Sequence, residues 1–132
     1  MAVTDQATFV LAAVVLRVHD LDAALAWYRD TFGLEPASID ARERRADYAL
    51  GGATLTLWQL RGVDRELALG YAGTFPRLRT SDLERAWHRL RDRGVLVEPI
   101  TSLGGVRQFE LRDLDGNRLD VVASSDGGEG AP

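Results

Sequence analysis

The chain repeats itself, and few folds accommodate the repeat. Val15 to Pro36 reads V-L-R-V-H-D-L-D-A-A-L-A-W-Y-R-D-T-F-G-L-E-P, and Pro76 to Pro99 reads P-R-L-R-T-S-D-L-E-R-A-W-H-R-L-R-D-R-G-V-L-V-E-P. At an offset of 62, Asp20 matches Asp82, Leu21 matches Leu83, Ala24 matches Ala86, and Arg29-Asp30 matches Arg91-Asp92. Each copy reads as a strand, a capped helix and a glycine stop. One such unit cannot bury both faces of its sheet, so two units must pack together.

Phe9 to Val18 is apolar and β-branched, the pattern of a strand. Asp20 suits a helix N-cap, because its carboxylate can accept a free backbone N–H. Leu21, Ala24, Leu25, Tyr28 and Phe32 then form one apolar helical face, and Gly33 ends the helix. Strands are predicted at Glu35 to Asp40, Arg45 to Leu50 and Ala53 to Leu60, with a Gly51-Gly52 turn.

The second unit follows the same plan. Gly73 to Thr80 reads as a strand, and Ser81-Asp82-Leu83-Glu84 as a capping box with Ser81 as the cap. Leu83, Ala86, Trp87 and Leu90 give the helical stripe, and Gly94 stops it. Strands are predicted at Val95 to Ile100, Val106 to Arg112 and Asn117 to Ala123, the last two joined by Asp115-Gly116-Asn117. The expectation is an α+β fold of two βαβββ modules forming an open cleft. One domain spans 1–132: module 1 about 9–60, a linker over 61–72, module 2 about 73–123, and a frayed tail over 124–132.

Composition excludes several functions. Sixteen basic and 20 acidic residues leave a net charge of -4, with no basic footprint for nucleic acid. Every basic residue is Arg, and no Cys is present, so disulfides, thiolate metal sites and cysteine nucleophiles are excluded. The apolar run ending at Arg17 is too short to span a membrane, and the chain reads as soluble and cytoplasmic.

The V-x-D-L-D-A-A-L-A-W-Y-R-D-T-F-G-L segment, with the later L-R-D-L-D-G-N-R-L-D-V-V segment, resembles the vicinal oxygen chelate superfamily. That group includes glyoxalase I, extradiol dioxygenases, fosfomycin-inactivating transferases, methylmalonyl-CoA epimerase and bleomycin-binding resistance proteins. The resemblance covers about residues 9–123 and implies the paired βαβββ fold. In the enzymes it implies a divalent metal held by four strand positions, usually His and Glu. Carried over residue by residue, those positions are Ala13, Thr56, Phe75 and Asp120. Ala and Phe have no ligand atom, and one Asp with a Thr cannot hold Zn, Fe or Ni. The two histidines, His19 and His88, lie at a strand end and on a polar helix side, and read as solvated surface residues. The expectation is therefore no metal and no cofactor.

Strand alternation gives the residues expected to face the cleft. They are Ala13, Val15 and Arg17; Thr54, Thr56 and Trp58; and, from the second module, Phe75, Arg77 and Arg79. Gln108, Glu110, Arg118, Asp120 and Val122 complete the set. Trp58 and Phe75 could stack on a flat ligand. Arg17, Arg77 or Arg79 could hold a carboxylate or an enol oxygen. Asp120 and Glu110 are the candidate general bases. The plainer reading is that Arg and acid pair with one another, Phe75 plugs the cleft, and Trp58 packs on a partner.

Two functions follow. The first is a metal-independent binding protein for a small, aromatic ligand, an antibiotic among the candidates, with Arg17, Thr56, Trp58, Phe75, Arg77, Gln108 and Asp120 as the ligand contacts. The resemblance implies a homodimer, with no nucleic-acid or membrane partner. The alternative is a lyase, isomerase or dioxygenase-like enzyme of the same superfamily, with Asp120 or Glu110 as base and an Arg steadying an oxyanion.

Overall fold

The computed structural model describes residues 11–69 and 73–124. Two four-stranded sheets form, each with one α-helix. In the first, β1 (Val14–Val18) lies parallel to β4 (Ala53–Gln59). β3 (Arg45–Leu50) and β2 (Ser38–Asp40) follow antiparallel, giving the order β1-β4-β3-β2. In the second, β5 (Arg77–Thr80), β8 (Arg118–Ala123), β7 (Val106–Arg112) and β6 (Thr101–Leu103) repeat that order. The helices are α1 (Leu21–Phe32) and α2 (Leu83–Asp92). The expected α+β pair of βαβββ modules is what forms.

Each element follows from its residues. Asp20 caps α1, its carboxylate accepting the Ala23 N–H at 3.2 Å. Gly33, at φ 71°, ends α1 in the left-handed conformation that glycine adopts without strain. Leu21, Ala24 and Tyr28 point into the core from one helical face. On β4, Leu55 and Leu57 face the helix while Thr54, Thr56 and Trp58 face away; on β8, Leu119 and Val121 do the same against Arg118, Asp120 and Val122. One hydrophobic cluster, with Tyr28, Tyr48, Leu57, Phe109 and Leu119 among its members, spans both modules. Burying each of its large side chains contributes about 1.5–3 kcal/mol.

Several expectations are corrected. The first strand starts at Val14, not Phe9; residues 1–10, where its predicted start falls, lie outside the described residues. The second strand covers only Ser38–Asp40 of the predicted Glu35 to Asp40, and β5 begins at Arg77 rather than Gly73. The strand predicted at Val95 to Ile100 does not form. Val97 makes a single bridge to Leu111 and the Glu98 N–H donates to Glu110 O, but Pro99 has no N–H for a ladder. Pairing resumes only at Thr101. Asp82, not Ser81, caps α2, accepting the Arg85 N–H at 3.1 Å. Glu84 turns outward and pairs with Arg107 instead of closing a capping box. The stretch read as linker contains a 3-10 turn, Gly62–Glu66. Residues 70–72 and the tail over 125–132 lie outside the described residues.

The modules meet through polar contacts at the ends of the elements. The buried Tyr28 phenol donates to Asp113 at 2.7 Å, and the Asn117 amide donates to the Arg17 carbonyl at 2.9 Å. Arg93 donates to the Asp30 and Thr31 carbonyls that end α1. Asp113 accepts four hydrogen bonds, from Tyr28 O–H, the Asp115 and Asn117 N–H groups and the Asn117 amide. Burial pushes its carboxyl pKa upward, against the pull of those donors.

Candidate functional site

The face of each sheet turned away from its helix carries the sequence-predicted residues, and strand register shows how they stand. Val15 lies opposite Thr56, and Arg77 lies opposite Asp120. Val15 and Arg77 are 62 positions apart, the repeat offset, so Thr56 and Asp120 occupy equivalent places. Across the hairpins, Asp47 lies opposite Thr56 and Glu110 opposite Asp120. The same frame therefore holds a hydroxyl beside a carboxylate in one module and two carboxylates in the other.

In the first module, Thr56 is buried and donates to Asp47 at 2.6 Å. Trp58 lies between two guanidiniums, with Arg17 5.4 Å and Arg45 5.1 Å from its ring. Arg17 is pinned by the Trp58 and Gln59 carbonyls, and the Trp58 indole N–H donates to the Glu43 carbonyl. These bonds fix the ring in place and leave it half-buried. Ala13, the first mapped position, lies just before β1 and brings no polar side-chain atom.

In the second module, Arg118 organises the face. Its guanidinium donates to both oxygens of Asp120, at 2.9 and 3.2 Å, and lies 3.7 Å from Glu110. The same group covers the Phe75 ring, 3.9 Å from its centre. Asp120 is 2% exposed, so its charge is matched almost entirely by Arg118. Glu110 also accepts from Arg112 at 3.2 Å. Arg77 donates to Gln108 at 2.6 Å, and Arg77 and Arg79 are exposed. The plainer reading of the charged residues thus describes much of this face: Arg and acid pair with each other. Phe75 sits before β5 rather than on it.

Three residues of these faces escaped the sequence reading: Arg45, Asp47 and Arg112. The signal was present in the Gly51-Gly52 turn. Counting outward from the Leu50–Ala53 pair places Asp47 beside Thr56 and Arg45 beside Trp58.

His19 is also corrected. Its ring is partly exposed, but both nitrogens have partners: Nδ1 faces an Asp115 oxygen at 2.8 Å and Nε2 faces the Leu67 carbonyl at 2.8 Å. The Leu67 carbonyl, then Asp115, hold its pKa above the usual imidazole value. It ties the first module to the hairpin of the second and to the segment after the 3-10 turn. His88 is exposed on α2, edge-on to Trp87.

The residues at the four mapped metal positions do not fit a metal. One hydroxyl and one carboxylate are present, and each is already hydrogen-bonded to a neighbour on its own sheet. Among the described residues, no three His, Asp or Glu side chains converge to hold an ion. Among the same residues, no helix is long and apolar enough to cross a membrane. Two cavities of about 670 and 1240 Å³ lie between the modules; Arg112 borders the smaller, and Thr54, Arg77 and Arg79 border the larger together with residues of both helices.

Known structures share this architecture. A glyoxalase/bleomycin resistance protein/dioxygenase from Nocardioides aligns with a TM-score of 0.68 at 23% identity, over 86% of this chain and 82% of that one. TioX from Micromonospora sp. ML1 gives 0.68 at 22%, covering 87% and 98%. Lactoylglutathione lyase from Agrobacterium tumefaciens gives 0.67 at 23%, covering 90% and 96%. At such identities the likeness establishes the fold alone. No curated protein sequence matches the chain. A family model covers residues 10–121, nearly the whole repeat. The chain belongs to the Glyoxalase/Bleomycin resistance protein/Dioxygenase superfamily.

Proposed function

We propose that the protein is a metal-independent small-molecule binding protein of this superfamily, taking an aromatic ligand on the outward sheet faces. The observation that carries this reading is the filling of the mapped metal positions. Ala13 and Phe75 offer no donor, Thr56 is spent on Asp47, and Asp120 is spent on Arg118. Lewis-acid chemistry from those positions has no ligand set to support it. What the faces offer is aromatic surface held by guanidiniums, at Trp58 and at Phe75. A flat ligand can stack on Trp58 in place of one Arg, while Arg17 supplies a polar contact to its rim; Arg77 and Gln108 offer polar groups beside Phe75 on the second face. Sequestration of a drug-like aromatic in the cytoplasm, as a homodimer, belongs to this reading. Val15, exposed on the outward face of the first sheet, gives a second copy apolar surface to cover.

The enzyme reading, with Asp120 or Glu110 as base, has less support. Asp120 is buried with both oxygens bonded to one guanidinium, which blocks its approach to a substrate proton. Glu110 is the more accessible of the two, and Arg112 and Arg118 both reach it.

Elemental mass spectrometry of the purified protein, paired with a thermal-shift titration of Ni, Zn, Mn and Fe, tests the reading. No stoichiometric metal and no stabilisation are expected. A bound metal, or a clear upward shift with one ion, overturns it.

A further inference from the structure

The larger cavity between the modules has a composition unlike the outward faces. Leu50, Leu55, Leu78, Leu90, Val121 and Phe32 give it apolar lining. Five arginines border it, Arg29, Arg77, Arg79, Arg89 and Arg93, against a single acid, Asp30. Three of the five are engaged. Arg29 approaches Glu35 at 3.5 Å, Arg77 donates to Gln108, and Arg93 donates to the two carbonyls at the end of α1. The guanidiniums of Arg79 and Arg89 are exposed and, among the described residues, have no hydrogen-bond or ion-pair partner.

The topology explains why these groups meet. β5 is the outermost strand of its sheet, so its free edge borders the cavity. The Asp120 and Ser124 N–H groups donate to the Pro76 and Thr80 carbonyls, so these even-numbered positions face β8. The alternate positions, Arg77 and Arg79, turn their backbone N–H groups to the open edge. α2 brings Arg89 and Leu90 to the same cavity. Cation and apolar surface therefore stand side by side. A free anion on exposed guanidiniums gains little in water, and a neutral apolar compound gains only area. A molecule carrying both features uses both kinds of surface, and its apolar body excludes the water that would screen the charge.

We propose that this cavity binds a small amphipathic organic anion, with an aryl or alkyl body against Leu50, Leu78 and Leu90 and one carboxylate or sulfonate head at Arg79 and Arg89. The site shares Arg77 with the outward faces, but it does not depend on the function proposed for them.

The test is a fluorescence titration of the full chain with the aromatic sulfonate 1-anilinonaphthalene-8-sulfonate. Its uncharged relative N-phenyl-1-naphthylamine serves as the control. One saturable sulfonate site is expected, with much weaker binding of the neutral probe. The double variant Arg79→Glu/Arg89→Glu should weaken the sulfonate by about tenfold or more, since it replaces two attractive charges with two repulsive ones. Arg79→Gln/Arg89→Gln should give an intermediate loss, with circular dichroism melts confirming that both variants fold. Trp58→Ala should leave the titration unchanged. Sulfonate affinity within twofold of wild type in the Glu variant overturns the proposal, as does loss of the site in Trp58→Ala. Conversion of a wild-type dimer to monomers by the Glu variant, with no sulfonate site in either, would assign the cavity to a second copy of the chain and also overturn it.

Discussion

The phenol of Tyr28 donates to Asp113 at 2.7 Å, both groups being buried, with one in the first helix and the other in the last hairpin of the chain. Burial and the neighbouring Asp113 charge hold the Tyr28 pKa well above that of an ordinary phenol, so the group stays a donor. Tyr28→Phe keeps the ring, its packing on Tyr48 and its volume, and removes only the donor. The Asp113 carboxylate is then short of one hydrogen bond inside the protein. The expected loss is about 1–3 kcal/mol, read as a lower midpoint in urea at unchanged slope.

His19 predicts a pH dependence. Both ring nitrogens face acceptors, so the doubly protonated ring satisfies both, and its folded pKa lies above the ordinary 6.5. A pKa raised on folding contributes stability that is complete below the unfolded value, and that contribution is lost as pH rises through the folded one. Stability should therefore decline as pH climbs from about 6.5 through the His19 midpoint. His19→Gln should flatten that part of the profile. A His19 ring titrating at or below 6.5 by NMR would sink the argument.

The two neighbours at the start of α2 should respond unequally to substitution. Asp82→Ala removes the carboxylate that accepts the Arg85 N–H and should cost about 0.5–2 kcal/mol. Ser81→Ala, at an exposed residue that does not cap the helix, should cost less than about 0.5 kcal/mol. Equal losses would show that the helix begins one residue earlier than described.

On the outward faces, Trp58→Ala should weaken an aromatic ligand by roughly 1–3 kcal/mol, measured by calorimetry, if the ring is its stacking platform. Unchanged affinity removes Trp58 from the site. Asp120→Asn leaves Arg118 without its two-point carboxylate partner and should lower stability by roughly 1–3 kcal/mol. Under the enzyme reading the same variant should abolish turnover while ligand binding stays within a few fold. Ligand binding lost together with stability would mark Asp120 as a residue that holds the face in shape.

Much of the fold was legible because its signals are local. The turns at Gly51-Gly52 and Asp115-Gly116-Asn117 helped delimit β3 and β7, which form at the predicted Arg45–Leu50 and Val106–Arg112, and Asp20 and Gly33 marked the ends of α1. The second cap was misread although the repeat carried the answer, since Asp82 aligns with Asp20. The strand predicted at Val95 to Ile100 failed because apolar residues there pack against the core without a ladder, and Pro99 cannot donate into one. The outward faces were legible as a set of positions. Which groups pair there was not, because Arg45 on Trp58 and Arg118 on Phe75 depend on side-chain reach across strands. His19 was the clearest gap: its partners lie 96 and 48 residues away, beyond any local pattern.

The shared register of the two sheets separates what the chain must keep from what it can change. On β4 and β8 the inward residues are apolar in both copies, Leu55 and Leu57 against Leu119 and Val121. The outward residues have diverged to Thr56 and Trp58 in one and to Asp120 and Val122 in the other. A duplicated frame of this kind allows one copy to be retuned while the other is left alone, because substitutions outside the core leave the packing of both helices untouched. Ligand preference in such a molecule can drift quickly while its architecture stays fixed.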